Sequence, residues 1–435
     1  MSEGPGAGRR PNIVYFHTHD TGRLVDPYGW GFGTPRLSAF AREGVVFRNA
    51  HSAAPTCSPS RAALLTGQAA HSAGMLGLTH RGFALADPSR HLAATLSEAG
   101  YATALVGIQH LAPPEEEAEL LGYDERLPEE DRRAEAVVGS AIEYLERPRD
   151  RPFFLSVGLF ETHTFPPELS EHLFGYPPGD ARYLPPPPTM PDAPETRDDT
   201  AGFAAAVRVV DAELGRFLDA LHRTGLADDT IVIVTTDHGP PFPGMKGTLS
   251  DRGTGVMLIV RGPGIPVGGV CDSLVSQIDL FPTLCELAGI PQPPWLQGAS
   301  LLPAMIDGVE TNDAVYSEVT YHAAYEPKRS VRTTRWRYAR RFDDHPHPVL
   351  PNVDASRSKS LLVDAGWAEH PVDAVELYDL VFDPGERDNL AGSPQHATVE
   401  QELAAQLLDW MTRTDDPLLR GPVPAPPGSV HAAQG

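Results

Sequence analysis

The chain has 435 residues, 41% of them apolar, which excludes general disorder and allows one large domain with a smaller one beside it. Lys plus Arg number 35 against 58 Asp plus Glu, so the formal charge is −23, which disfavours non-specific binding to nucleic acid or to anionic membranes. Three cysteines, Cys57, Cys271 and Cys285, are too few for a disulfide framework.

The opening MSEGPGAGRRPN carries no apolar h-region, and no later stretch reaches ~18 uninterrupted apolar residues. The expectation is a soluble cytoplasmic protein with no export signal, engaging neither nucleic acid nor membrane. Its oligomeric state is left open. Ile13-Val14-Tyr15-Phe16 is a short buried-strand run. Thr103 to Gly107, Phe153 to Leu159, Ile231 to Thr235 and Val256 to Val260 are four more. Between them lie helical patterns. Leu92, Leu96 and Ala99 precede a stop at Gly100, and Phe203, Val207, Val210, Leu214, Phe217, Leu218 and Leu221 recur at helical spacing. Apolar strands alternating with amphipathic helices predict an α/β domain over residues 1–310, with a mostly parallel central sheet flanked by helices.

The acidic run from Pro113 to Glu135 is expected to be a solvated helix and loop. Pro177 to Pro194 is a proline-rich excursion, either an ordered surface loop near the site mouth or a flexible one. After about residue 310, Val315 to Glu318, Ser330 to Thr333 and Arg335 to Tyr338 alternate like antiparallel strands, and Val399, Leu403, Leu407 and Met411 mark a last helix. These predict a small C-terminal α+β domain over 311–420, then a disordered tail from 421 to 435.

Polar residues just past strand carboxyl ends are the default site of such a sheet. His17, His19 and Asp20 follow the first strand, Gln109 and His110 the second, Glu161 and His163 the third, Asp237 and His238 the fourth. A lone histidine would be read as a satisfied surface or core group; four successive strand ends carrying His or Asp are harder to dismiss. The strongest local signal is Cys57-Ser58-Pro59-Ser60-Arg61, followed by Ala62-Ala63-Leu64-Leu65-Thr66-Gly67. A cysteine ahead of a helix sits at the positive end of the helix dipole, and Arg61 adds a fixed charge one turn in.

C-x-P-S-R-A-x-L-L-T-G resembles the signature of the type I sulfatases of the alkaline phosphatase superfamily. Further segments are similar to that family in the same order. They are Pro11 to Val14 leading to His19-Asp20, Gly107 to His110, Phe153 to His163, Thr236 to Gly239, Lys246, and Glu376 to Leu380 with Asp383-Pro384, Glu386 and Asn389-Leu390. The resemblance spans residues 11 to about 415. It implies a hydrolase for sulfate esters or sulfamates with an alkaline-phosphatase-like fold. Cys57 would be oxidised to formylglycine by the formylglycine-generating enzyme, and the aldehyde hydrate would be the nucleophile. The resemblance further implies one divalent cation, Ca²⁺ with Mg²⁺ or Mn²⁺ as alternatives, held by Asp20, Asp237, His238, the Cys57 position and His19. Arg61 and Lys246 would hold nucleophile and substrate oxygens. His110 and His163 would assist aldehyde regeneration and leaving-group protonation.

Two departures stand out. The family usually has two adjacent aspartates where this chain has His19-Asp20, and a lysine where it has Ile108. Arg252 is a candidate replacement for that lysine's charge. The stretch from Phe47 through Cys57 to Leu78 is especially similar to the N-sulfoglucosamine sulfohydrolases, which implies a small anionic substrate, a sulfated sugar among the candidates. His80 and Arg81 are candidate contacts to a sugar or its carboxylate, with a solvated loop pair as the alternative. A phosphate or phosphonate monoester hydrolase of the same superfamily and a non-catalytic anion-binding protein are the rival readings.

Overall fold

The computed structural model describes residues 10–434. Residues 1–9, most of the opening segment in which no leader was visible, lie outside the described residues, as does Gly435. Eight strands form one sheet: β1 (Asn12–Thr18), β2 (Val45–His51), β3 (Ala102–Gly107), β4 (Glu125–Arg126), β5 (Phe153–Gly158), β6 (Thr230–Thr236), β7 (Leu258–Arg261) and β8 (Gly269–Ser276). Their order is β4-β3-β5-β1-β6-β7-β2-β8. β7 runs antiparallel to both neighbours and every other pairing is parallel.

Every residue of β1, β5 and β6 is buried, as a sheet covered on both faces requires. The pleat sends alternate residues to opposite layers. Val14, Phe16, Val232 and Val234 pack under the helices Ala134–Leu145 and Pro194–Arg223. Ile13, Tyr15, Ile231 and Ile233 pack under the helices Cys57–Thr66, Leu92–Glu98 and Leu280–Ala288. Five strands of this sheet are legible as apolar runs, the Val256–Val260 run being displaced to Leu258–Arg261. β2 and β8 are not. Arg48 and Asn49 interrupt the apolar run of β2, and Asp272 and Ser273 that of β8, at positions near the sheet edge.

A second sheet, β9 (Ala314–Tyr321), β10 (Tyr325–Thr333), β11 (Trp336–Arg341) and β12 (Val375–Asp379), is antiparallel throughout. Helix Ala397–Arg413 covers it through Leu403, Leu407, Trp410 and Met411. Two sequence expectations need correction. The segment from 421 is not a disordered tail: Val430 N donates to Arg81 O at 2.9 Å, Ala432 N to Ala323 O at 2.7 Å, and Gln434 Nε2 to Tyr325 O at 2.8 Å. These are backbone partners that a repeat-free, proline-rich stretch does not announce. The acidic run is not wholly solvated either, because Glu117 is 3% exposed and pairs with Arg126 at 3.1 Å. The proline-rich excursion is tied to the second domain where Arg387 donates to Pro188 O at 3.1 Å. Among the described residues no helix is long and apolar enough to cross a membrane.

Candidate active site

The site lies at the carboxyl ends of β1, β6, β5 and β3, where the polar strand ends converge. Asp20 follows β1 in a left-handed turn, φ 57°, and its backbone N–H donates to Asp237 Oδ1 at 2.8 Å. The His238 N–H donates to the same oxygen at 2.9 Å. Asp237 Oδ1 is thus committed to backbone, and Oδ2 faces inward. There it accepts from Arg61 Nη2 at 3.0 Å and lies 3.1 Å from His19 Nδ1. Arg61 is anchored further by Thr18 O at 3.2 Å and His17 Nδ1 at 2.6 Å, which fixes it against Asp237. His110, past β3, is the second site residue with positive φ, 65°. Such a conformation costs a non-glycine residue about 1 kcal/mol or more and persists only where surrounding contacts enforce it.

Cys57 opens the helix Cys57–Thr66 after an extended Thr56, φ −143°, which places its side chain at the helix N-terminus. Its Sγ lies 3.5 Å from His238 Nε2 and 4.0 Å from Asp20 Oδ1. His238 Nε2 is 3.3 Å from Asp20 Oδ1 and 3.7 Å from Asp237 Oδ2, and His19 Nδ1 is 2.9 Å from Asp20 Oδ1. Donor atoms on neighbouring vertices around a cation with bonds of ~2.1–2.5 Å stand ~3–3.5 Å apart, and opposed ones farther. The cluster has those spacings, and its two carboxylates and imidazoles are the donors a hard or borderline divalent ion takes. The residues present therefore fit a divalent cation.

Asp20 divides its oxygens. Oδ1 faces that cradle; Oδ2 accepts from Lys246 Nζ at 2.8 Å and lies 3.8 Å from His163 Nε2. Lys246 Nζ also donates to Asp354 Oδ2 at 2.9 Å and lies 3.4 Å from His163 Nε2. Burial alone would raise the Asp20 carboxyl, but Lys246, His163, His19 and His238 outweigh it and hold it well below the usual carboxylate range. Burial would neutralise Lys246, yet Asp20 and Asp354 keep its ammonium charged. Burial pulls His19 down to about 4 against the attraction of both aspartates, so its imidazole is neutral and free to donate or coordinate. Burial likewise lowers His110, helped by His19 and His80, and pushes the Cys57 thiol up.

Of the residues picked from sequence, the fold brings together His19, Asp20, Cys57, Arg61, His163, Asp237, His238 and Lys246. His110 and His80 adjoin them. His80 Nδ1 lies 2.9 Å from His110 Nε2, and the His110 ring centroid is 6.0 Å from that of His19. Two candidates turn away. Arg81 reaches the C-terminal segment at Val430 O, 3.4 Å, and Arg252 binds Gly385 O at 2.8 Å with Glu386 at 3.5 Å. Each is drawn off by an acceptor more than 100 positions distant in sequence. Gln109 and Glu161 also leave the chemistry. Gln109 accepts from Tyr123 OH at 2.9 Å, and Glu161 from Tyr176 OH at 2.7 Å. Asp354 and His322 were missed. Both come from the second domain, and Asp354 stands in an unremarkable Asn-Val-Asp-Ala loop with no local signal.

A cysteine at a helix tip, a cation-sized carboxylate cradle and a buried lysine thus lie together at the strand ends of a sheet with the alkaline-phosphatase-like fold. Residues 11–290 match the family model described as Sulfatase, and residues 246–349 that described as N-sulphoglucosamine sulphohydrolase, C-terminal. The chain belongs to the sulfatase family. It is 31% identical to human (Homo sapiens) N-sulphoglucosamine sulphohydrolase over 446 residues, 89% of this chain and 87% of that one. It is 27% identical to a Delta 4,5-hexuronate-2-O-sulfatase of Bacteroides thetaiotaomicron, covering 94% of this chain and 90% of the relative. Among solved structures, BT1596, a 2-O GAG sulfatase, superposes with a TM-score of 0.73 at 24% identity, covering 96% of both chains. BT4656 in complex with its substrate D-glucosamine-2-N,6-O-disulfate superposes with a TM-score of 0.70 at 20% identity, over 95% of this chain and 99% of that one.

Proposed function

We propose that the chain hydrolyses the sulfamate or sulfate ester of a sulfated sugar, using a formylglycine made from Cys57 and one divalent cation held by Asp20, Asp237, His238 and His19. The observation that carries the reading is the position of Cys57 Sγ, at a helix tip and against the cradle formed by Asp20 and His238. The similarity to N-sulphoglucosamine sulphohydrolase over most of both chains, and the second family model, favour a sulfamate among the candidate substrates.

The cation would supply polarisation of sulfate oxygens and a lowered pKa for the attacking hydroxyl. The aldehyde hydrate would supply two hydroxyls on one carbon, one to take the sulfate and one to release it. The chain's own groups do the rest. Arg61 fixes Asp237 Oδ2 and the helix holds the nucleophile in place. Lys246 offers a permanent positive charge to an incoming anion, within a molecule whose overall field repels it. His163 stands next to Lys246, where a leaving group can take a proton, and neutral His110 can accept one from the nucleophile's hydroxyl.

Protein co-expressed with the formylglycine-generating enzyme tests the reading. Peptide mass spectrometry should show part of Cys57 as the aldehyde, and Cys57→Ala should abolish sulfate release from glucosamine 2-N-sulfate and 4-nitrophenyl sulfate. Full activity in that variant defeats the mechanism. Faster turnover of a nitrophenyl phosphonate ester than of either sulfate would move the chain to the phosphonate hydrolases.

A further inference from the structure

We propose that Arg132 selects substrates whose leaving group carries a second anionic group, about one sugar ring away from the scissile sulfate. The inference deepens the sulfatase reading and rests on it. A cavity of about 730 Å³ opens beside the catalytic cluster, bordered by His19, His80, His110 and His163. Its remaining wall is largely apolar, with Ile108, Ala112, Pro113 and Phe160. Ile108 adds no charge to it. A leaving group expelled from the cluster enters this space.

Two arginines line the cavity, and they are not equivalent. Arg126 is already satisfied, by Glu117 at 3.1 Å, Glu129 at 2.7 Å and Gly107 O at 2.9 Å. Arg132 is exposed and stands in the sequence Glu129-Glu130-Asp131-Arg132, yet among the described residues it forms no ion pair. Its guanidinium instead lies over the ring of Phe160, 5.3 Å from the centroid. Phe160 is itself held edge-on by Phe165, centroids 4.9 Å apart, and stands 5.1 Å from the His163 ring and 6.0 Å from that of His19. Arg132 is therefore one aromatic ring removed from the site histidines.

A guanidinium held over a ring through its π face leaves N–H donors for other partners, and its forked edge matches a carboxylate or sulfate two bonds at a time. In a chain with 23 surplus negative charges, a cation that declines adjacent carboxylates and faces the substrate cavity is placed for a ligand's anion. A uronate carboxylate and a second sulfate share that chemistry.

Steady-state kinetics on matured enzyme separates the cases. The probes are two pairs: glucosamine 2-N-sulfate with glucosamine 2-N,6-O-disulfate, and 4-nitrophenyl sulfate with 4-carboxyphenyl sulfate. For each pair the kcat/KM ratio, doubly over singly anionic, is compared in wild type, Arg132→Gln and Arg132→Lys. The ratio should fall about tenfold in Arg132→Gln, chiefly through KM, and only part of the way in Arg132→Lys. A fall confined to the first pair assigns the second anion as sulfate, and one confined to the second pair as carboxylate. An unchanged ratio in both pairs overturns the role of Arg132 and leaves the sulfatase reading standing. Wild type that releases sulfate from none of the four defeats that reading, and this inference with it.

Discussion

Lys246 joins the two sheets' domains through one buried ammonium. It is 5% exposed, and its ammonium is held between Asp20 and Asp354 at 2.8 and 2.9 Å. Lys246→Ala removes a buried ammonium facing the cradle and leaves Asp20 short of a partner. Loss of a preorganised charge of this kind costs about 3 kcal/mol in the transition state, or ~100-fold in rate. The expected result is a folded variant with kcat reduced on that scale, read from sulfate release; an unchanged kcat would remove Lys246 from the site. His19 offers a second test at this scale. Its Nδ1 sits at donor distance from both carboxylates, and in the proposed site it would complete the cradle with imidazole where the family usually has carboxylate. Imidazole suits borderline ions such as Mn²⁺ better than Ca²⁺. Enzyme stripped with a chelator and reloaded with Ca²⁺, Mg²⁺ or Mn²⁺ should recover activity, and His19→Ala should lose Mn²⁺-supported activity most. Identical metal profiles in the two proteins would show that His19 is not a ligand, and activity that survives thorough stripping would remove the cation.

Between elements, the junction of the two sheets is a buried charge network. Glu318 on β9 accepts from His71 N at 3.0 Å and His71 Nδ1 at 2.9 Å. Arg329 on β10 lies 3.2 Å from Glu318 and forks onto Asp416 at 2.6 and 3.1 Å. All four side chains are essentially buried. Burial raises the Glu318 carboxyl, but His71 and Arg329 overcome it and bring it down to about 2. A carboxyl that titrates lower in the folded chain than in the unfolded one stabilises the fold above its unfolded value of ~4.5. That contribution, on the order of 3 kcal/mol, drains away as pH falls toward 2. Urea midpoints should thus fall more steeply between pH 6 and pH 3 in wild type than in Glu318→Gln. The variant should already be weaker at pH 7, because Arg329 loses a buried partner. Parallel pH profiles for the two proteins would show that the network contributes nothing to acid sensitivity.

Across the whole molecule, the second domain does more than cap the first. Asp354 reaches over to Lys246, and residues 421–434 run back along the end of β10 and the Arg81 turn. What the sequence determined alone was whatever is written locally. The all-apolar runs of β1, β5 and β6 can satisfy neither water nor a single covered face, so they dictate a sheet buried on both sides. The Cys57 motif dictates a helix start, and the strand ends at Asp20, His163 and Asp237 dictate where polar chemistry collects. Only the tertiary structure decided the partners. Arg252 looked like a free cation until Gly385 and Glu386 took it, and Arg81 until Val430 did. Asp354 carries no local signal, and only the fold brings it to Lys246. The edge strand β8 and its neighbour β2 were hidden because their polar positions face solvent or neighbours that no local pattern reveals. The physical reason is range: strand and helix signals repeat over a few residues, whereas a buried ion pair is chosen by which distant segment the packed core delivers to it.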